Sequence, residues 1–192
     1  MHLDPPRVMH PNFAPEPRPE PEQTLGMLEP LRDVLDPKPG ERILEIGAGT
    51  GAYALHVAAD VSPGGTLDIL DAHPTQLETA MRGASERAID NVNAVLGDAR
   101  FLPYDDATFD AAYGVAALGD APDPESVLAE LARVLRPGGR LVIGELHGDP
   151  HRFDPARLAD GTVPAQLRVK RRVDVPLGSF TELERPLRRS AR

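Results

Sequence analysis

The spacing of hydrophobic residues along the chain changes repeatedly between a pattern typical of strands and one typical of helices. Residues 43–46 form a short apolar run, which is typical of a strand that is buried on both faces of a sheet. Residues 74–89 instead place apolar side chains three and four positions apart, as one face of a helix requires. By these criteria, strands are predicted at residues 43–46, 66–71, 92–96, 108–115, 140–146, 166–175 and 179–185.

Helices are predicted between most of these strands, and this alternation determines the expected fold. One helix starts after Thr24, two cover residues 50–60 and 74–89, and another runs from a cap at Asp123 to a stop at residues 137–139. Alternating strands and helices form parallel sheets covered on both faces, whereas the last two strands are close enough in sequence to pair antiparallel. The expected fold class is α/β, with a doubly wound, mostly parallel seven-stranded sheet, helices on both faces and an antiparallel C-terminal strand pair.

Two segments depart from this pattern. Residues 1–22 contain seven prolines, which lack a backbone donor and fix φ, so an extended N-terminal arm is expected there. Residues 23–192 are expected to form one domain with a shortened C-terminal region, because residues 148–165 have room for only a short helix. One sheet face then needs cover from the arm or from a second chain, which makes a homodimer one of the expectations.

The net charge and the lack of cysteine disfavour or exclude several functions. The formal net charge of −9 repels phosphate backbones, so no nucleic-acid partner is expected. Without cysteine the chain has no disulfide, no thiolate nucleophile and no cysteine-ligated metal, and no metal site is expected. The sequence has no signal-peptide pattern and no apolar stretch of about 20 residues, which predicts a cytoplasmic protein without a membrane partner.

The strongest motif is the glycine-rich turn that follows the first strand. Gly47, Gly49 and Gly51 have the spacing G-x-G-x-G, and Glu45 lies two residues before the first of them. Glycines in such a turn let a ligand approach the backbone, and the helix that follows offers free N–H groups. Nicotinamide and flavin sites favour G-x-G-x-x-G and hold a pyrophosphate, which a carboxylate at position 45 would repel. The carboxylate instead suits a ligand with an ammonium group, so a nicotinamide oxidoreductase is the disfavoured alternative.

The same turn resembles motif I of the class I S-adenosylmethionine-dependent methyltransferases. Four further segments resemble that family in the same order: residues 71–77, 96–100, 109–114 and 131–143. The likeness covers roughly residues 24–147 and is greatest to the broad group that includes the ubiquinone and menaquinone C-methyltransferases. It implies a Rossmann-like domain with S-adenosylmethionine as the cofactor. Cofactor contacts are implied for Glu45, Gly47, Ala48, Gly49 and Gly51.

The resemblance also implies contacts from the ends of the next strands. Asp71, at the end of the second strand, would accept hydrogen bonds from both ribose hydroxyls, and Ala72 would lie beside it. Asp98 would accept a hydrogen bond from the adenine amino group, while the backbone of Ala99 meets the ring. The backbone near Tyr113 would hold the amino group of the methionine part.

The residues that would catalyse the reaction are not assigned by any motif. Transfer of a sulfonium methyl group is an in-line displacement, and an oxygen or carbon nucleophile must also lose a proton. Candidates for the base are His147, at the end of the fifth strand, and as further ones His56 and Glu145. Tyr113 is a further catalytic candidate, which would line the pocket. His73 stands where the family has Ser or Thr, and it is expected to cap a helix or to lie exposed in a loop.

The predicted function is therefore S-adenosylmethionine-dependent methyl transfer to a small-molecule acceptor. The alternative is a methyltransferase-like module that binds the cofactor or a partner without turnover. The cofactor motifs favour the first interpretation, whereas the short C-terminal region and the lack of an obvious base favour the second.

Overall fold

The computed structural model describes residues 26–154, 157 and 167–187, and its secondary structure alternates as the hydrophobic pattern predicts. In chain order, the elements are α1 (Leu28–Leu35), β1 (Arg42–Ile46), α2 (Ala54–Asp60), β2 (Thr66–Asp71), α3 (Pro74–Glu86), β3 (Val92–Leu96), β4 (Phe109–Val115), α4 (Pro124–Val134), β5 (Leu135–Leu146), β6 (Arg168–Val175) and β7 (Gly178–Glu184).

The seven strands form one sheet in the order β3-β2-β1-β4-β5-β7-β6. Strands β1 to β5 pair in parallel, whereas β7 pairs antiparallel with both β5 and β6. The strand order reverses between β1 and β4, and open α/β sheets bind their ligands at such a point, outside the carboxyl ends of the strands. The predicted fold class is confirmed, and the topology places the glycine turn after β1 at the reversal.

Helices cover both faces of the sheet, and the residues of β1 alternate between them. Helices α1, α2 and α3 pack with Ile43 on one side, which we call the first face. Helix α4 packs with Leu44 and Ile46 on the other side, which we call the second face. A strand that is covered on both faces has to be largely apolar on both, which explains the apolar side chains of Ile43, Leu44 and Ile46 and leaves Glu45 as the one buried carboxyl of β1.

Several element boundaries differ from the prediction. Helix α2 begins at Ala54 rather than at residue 50, because the glycine turn continues through Tyr53. Helix α4 ends at Val134, and β5 already begins at Leu135, whose φ of −71° and ψ of 142° are extended. The predicted stop at residues 137–139 therefore lies inside the strand, where the sequence pattern alone favoured a turn.

Parts of the N- and C-terminal predictions lie outside the described residues. These are the proline-rich arm at residues 1–22, the cap at Thr24 and most of the short helix expected within residues 148–165. Among the residues that the structure describes, no helix is both long enough and apolar enough to cross a membrane.

Candidate cofactor site

The glycine turn between β1 and α2 is held in a conformation that side chains would prevent. Gly47 has a φ of 65°, and a Cβ atom there would lie 2.6 Å from the Cβ of Ala117, in the loop after β4. Gly51 has a φ of 82°, and a Cβ there would lie 2.8 Å from the Cβ of Ala80, on α3. Left-handed backbone and close packing together explain why these two positions need glycine.

The turn is also tied to the end of β2 through Asp71. The Oδ2 atom of Asp71 accepts the N–H of Gly49 at 2.8 Å, and the N–H of Gly47 donates to the carbonyl oxygen of Leu70 at 2.8 Å. Asp71 is almost fully buried. The two strand ends for which the resemblance implies cofactor contacts are therefore joined by hydrogen bonds.

His73 follows Asp71 and differs from the expectation for this position. It occupies the N-cap of α3, but its side chain makes no capping hydrogen bond, so the expected helix cap is not found. Its backbone N–H instead donates to Asp71 Oδ1 at 2.9 Å, and its ring atom Nδ1 lies 3.0 Å from the same oxygen. Because Pro74 presets the first turn of the helix, the helix starts without a side-chain cap.

Glu45 and Tyr113 face one another on the first face of the sheet. They are register partners on the parallel strands β1 and β4, and both are buried. Within the described part of the chain, neither Glu45 Oε2 nor the Tyr113 hydroxyl has a partner in hydrogen-bonding geometry. Burial raises the pKa of Glu45 to about 8, an effect that the nearby Tyr113 hydroxyl opposes and the charge of Asp71 reinforces. The carboxyl is therefore largely protonated at neutral pH.

Asp98 follows β3 and is bound by a neighbouring arginine. Its Oδ1 accepts the backbone N–H of Arg100 at 2.9 Å, and its Oδ2 lies 2.6 Å from Nη2 of the same residue. These hydrogen bonds lower the pKa of Asp98, which keeps it ionised. Ala72 and Ala99, at the ends of β2 and β3, are both half-buried, so each offers a small apolar surface beside a carboxylate.

The candidate bases do not converge on one point. His147 is exposed at the end of β5, where its backbone N–H donates to the carbonyl oxygen of Leu177 at 2.9 Å. His56 is exposed on α2 rather than at the carboxyl edge of the sheet. Tyr113 is fully buried, and burial followed by the charge of Glu45 raises the pKa of its hydroxyl well above the usual value. A buried tyrosine with a raised pKa makes a poor base, because its phenolate is scarce at neutral pH.

Glu145 is the remaining candidate, and it lies near the end of β5. The residue is buried, and its Oε2 accepts the backbone N–H of Phe153 at 3.2 Å. Burial raises the pKa of Glu145 to about 8. Its register partner Ser179 on β7 is also buried, and in the described residues neither Glu145 Oε1 nor Ser179 Oγ has a hydrogen-bond partner.

Some residues that shape this site were not predicted. Ala117 and Ala80 are the small side chains against which the glycine turn packs, and Arg100 binds Asp98. Small residues carry no chemical signal in a sequence, and only their distance from the glycines reveals the role. Across the part of the chain that the structure describes, no group of three or more metal-ligating side chains comes together.

Comparison with known families agrees with this geometry. Residues 43–139, from β1 into β5, match the family described as a methyltransferase domain. The chain belongs to this methyltransferase family. The assignment confirms the prediction of a class I methyltransferase domain and, with it, S-adenosylmethionine as the cofactor. The likeness to the ubiquinone and menaquinone enzymes in particular stays a prediction.

Individual relatives of this methyltransferase domain agree in fold and differ in what they do. The 27-O-demethylrifamycin SV methyltransferase of Amycolatopsis mediterranei is 36% identical over 129 residues, which are 65% of this chain and 45% of that protein. A solved S-adenosylmethionine-dependent methyltransferase from Aquifex aeolicus is 20% identical, with a TM-score of 0.72 over 88% of this chain and 100% of that one. The cyclase SpnF is 21% identical, with a TM-score of 0.74 over 84% of this chain and 81% of that one. The fold alone therefore does not identify the reaction.

The methyltransferase domain also differs from its relatives in length. The chain spans between 35% and 53% of the length of three curated relatives that it matches. The match thus concerns the domain, and what these longer proteins do as a whole is a separate question.

Proposed function

We propose that this chain binds S-adenosylmethionine at the carboxyl ends of β1 to β4 and transfers the methyl group to a small-molecule acceptor. The single observation that carries the proposal is the buried pair of register partners on β1 and β4, in which neither Glu45 Oε2 nor the Tyr113 hydroxyl has a further hydrogen-bond partner among the described residues. Leaving such groups unpaired costs about 1–3 kcal/mol each, so a native site that contains two of them suits a polar ligand group.

An ammonium group fits this pair. A protonated Glu45 can give up its proton and become the carboxylate that an ammonium ion requires, and the Tyr113 hydroxyl supplies a further acceptor. In the proposal, Glu45 and Tyr113 therefore hold the amino group of the methionine part. The glycine turn, from Gly47 through Ala48 and Gly49 to Gly51, leaves the space beside them open to the ligand, because it carries no side chain larger than a methyl group before Thr50.

The adenosine part would lie along the ends of β2 and β3. In the proposal, Asp71 accepts ribose hydroxyls, and Asp98, which Arg100 keeps ionised, accepts the adenine amino group. In the proposal, Ala72 and the backbone of Ala99 contact the adenine ring, as the resemblance implies. The support for this arrangement is the resemblance, which implies a cofactor contact for each of these residues.

When bound, the cofactor supplies a methyl group that is already activated by its positive sulfur. The contribution of the chain is to hold the cofactor, to orient the acceptor and to exclude water from the site. An acceptor hydroxyl would have to lose its proton. His147 at the end of β5 is the exposed candidate for receiving it, and Glu145 is a buried one on the second face.

An oxygen acceptor is favoured by the relatives. The name of the Amycolatopsis relative specifies a methylated oxygen on a rifamycin. We extend to this chain only the class, a hydroxyl group on a small organic molecule. The predictions of a homodimer, of a cytoplasmic location, of no nucleic-acid partner and of a domain spanning residues 23–192 are retained as part of this proposal.

A cofactor-binding module without turnover is the second candidate. The observation that favours it is the scatter of the candidate bases, since Tyr113 is buried, His56 is exposed on α2 and His147 is exposed on β5. Turnover separates the two functions, because both require cofactor binding.

The test begins with calorimetric titration of the purified chain with S-adenosylmethionine, S-adenosylhomocysteine and NAD. Micromolar binding of the two adenosyl ligands and none of NAD is expected. The chain would then be incubated with radiolabelled S-adenosylmethionine and a panel of phenols and aliphatic alcohols, in which labelled product identifies an enzyme. Binding without any labelled product would favour the module, and failure of both adenosyl ligands to bind would overturn the proposal.

A further inference from the structure

An exposed aromatic side chain lies beside a cavity on the outer side of α4. Phe101, in the loop after β3, is 74% exposed, the highest value for a large apolar side chain in the part of the chain that the structure describes. The guanidinium carbon of Arg100 lies 5.7 Å from the centre of its ring, within the range of a cation–π contact. The backbone N–H of Phe101 donates to the carbonyl oxygen of Asp98 at 2.9 Å. The ring is therefore held in place although it faces solvent.

The cavity next to this ring has room for a second one. It has a volume of about 470 Å³ and is lined by residues 100–102 of the loop and by Ser126, Ala129 and Glu130 of α4. The backbone N–H of Leu102 donates to Glu130 Oε2 at 2.8 Å, which fixes the loop against the helix. On the helix side, the exposed Ala129 offers only a methyl group. Cavities of this size hold small organic molecules, so a phenyl ring fits.

We infer that two copies of the chain associate through this surface, with Phe101 of each copy in the cavity of the other. A protruding ring and a cavity that lie side by side are complementary to themselves about a two-fold axis, because each copy then supplies both parts. The inference rests on the proposed function only in so far as that includes a homodimer, for which it names the surface. It does not depend on what the cofactor site binds.

The charges around the cavity support a second copy as the occupant. The loop side carries Arg100, whose side chain is 32% exposed. The helix side carries Asp123, the exposed N-cap of α4, and hydrogen bonds from Ser126 lower the pKa of this carboxyl, which keeps it ionised. In a two-fold arrangement the loop of one copy faces the helix of the other, so that Arg100 of each copy lies towards Asp123 of the other. Opposite charges at the rim of an interface favour this orientation.

Sedimentation velocity of the ligand-free chain over a range of concentrations tests the inference. The wild type should show an equilibrium between monomer and dimer in the micromolar range, because the surface is small for a permanent dimer. F101E removes the ring, and A129E fills the cavity with a charged side chain. Each should raise the dissociation constant of the dimer by about 100-fold or more, because every dimer loses the contact twice and buries two unpaired charges. Both positions are exposed, so the variants should melt like the wild type.

L187E is the matched control. Leu187 is 72% exposed, similar to Phe101, but it lies beside Gly138 of β5, so this variant should dimerise like the wild type. A wild type that stays monomeric at every concentration would overturn the inference together with the homodimer. A dimer that F101E and A129E leave intact would overturn only the surface, and a series of larger species would overturn the two-fold arrangement. Cofactor binding is measured separately by titration, so its failure cannot be confused with any of these results. Should F101E not fold, A129E and F101S carry the same comparison.

Discussion

Glu45 and Glu145 are similar in burial and different in surroundings. Each lies on a strand near the carboxyl edge of the sheet, each has an oxygen without a hydrogen-bond partner in the described residues, and burial raises the pKa of each to about 8. Each also faces a buried hydroxyl on the neighbouring strand, that of Tyr113 or of Ser179. They lie on opposite faces of the sheet, however. Glu45 lies beside Tyr113 on the first face, whereas Glu145 accepts the backbone N–H of Phe153 on the second.

The two carboxyls differ in the groups that surround them. Glu45 lies two residues before the glycine turn for which we propose cofactor binding, and a second carboxylate, Asp71, influences its pKa. Glu145 accepts a hydrogen bond from the backbone of Phe153, and its other charged neighbours are Asp149, Arg152 and Asp120. A buried carboxyl with a raised pKa is therefore not by itself a functional residue, and the space around it decides the function.

The largest expected effect is on ligand affinity, and it should separate the two glutamates when each is replaced by glutamine. E45Q should weaken S-adenosylhomocysteine binding by about 3 kcal/mol, more than 100-fold, because the ammonium of the ligand would face an uncharged amide. E145Q should leave the affinity within about twofold of the wild type, because its carboxyl lies on the other face of the sheet. Calorimetric titration at pH 8 measures both constants. Equal losses in the two variants would remove the proposed distinction between the glutamates.

A smaller effect is expected on stability as a function of pH. The folded-state pKa of Glu145 is about 8, above the ordinary 4.5, so the folded chain holds a proton that the unfolded chain loses. Its contribution to the free energy of unfolding is therefore present below about pH 4.5 and is lost as the pH rises towards 8. E145Q removes this loss and should be more stable than the wild type at pH 8.5 by on the order of 2 kcal/mol, and about equal to it at pH 5.

Urea unfolding at the two pH values tests this prediction. In the ligand-free protein, E45Q should also be more stable than the wild type at pH 8.5, since burial raises the pKa of Glu45 as well. A constant difference in unfolding free energy between variant and wild type at both pH values would show that the carboxyl does not hold its proton in the folded state.

The smallest effect is expected at the two buried hydroxyls. Y113F and S179A each remove a hydroxyl group without a hydrogen-bond partner among the described residues, and each should change the stability of the free protein by no more than about 1 kcal/mol. Only Y113F should weaken S-adenosylhomocysteine binding, by about 3–10-fold, the value of a single hydrogen bond. Thermal melts and titrations of the two variants give both quantities. Weaker binding in S179A instead would place the ligand on the second face of the sheet.

The sequence predicts the first half of this site well and the second half poorly, for physical reasons. The turn at Gly47 and the strand end at Asp71 could be predicted because a strand, a turn and a helix follow one another in sequence at each of these two places. The left-handed φ values of the glycines show that the structural part of the motif was predicted correctly. The roles of these residues in binding stay predictions until a ligand is measured.

The surroundings of Tyr113 and Glu145 instead depend on contacts between distant parts of the chain. The burial of Tyr113 depends on how β1, β4 and the helices of the first face pack, and the burial of Glu145 depends on the segment at residues 151–153 and on β7. The side chain of His73 was expected to cap α3 or lie exposed in a loop, and no local pattern indicates that it turns back to Asp71 instead. The packing around Tyr113 and Glu145 joins segments that are far apart in sequence, and it has no signature in spacing or composition.

The protonated state of Glu45 has a consequence for the whole binding reaction. A carboxyl that is neutral when the site is empty buries no net charge there, and this avoids the large penalty for an isolated ion in an apolar environment. If an ammonium group replaces the proton, the carboxylate and the ammonium form a pair whose charges cancel. The carboxyl and its bound cation then carry no net charge before or after binding. Uptake of the cofactor is then an exchange of one cation for another, and the solvent receives a proton for each molecule bound at neutral pH.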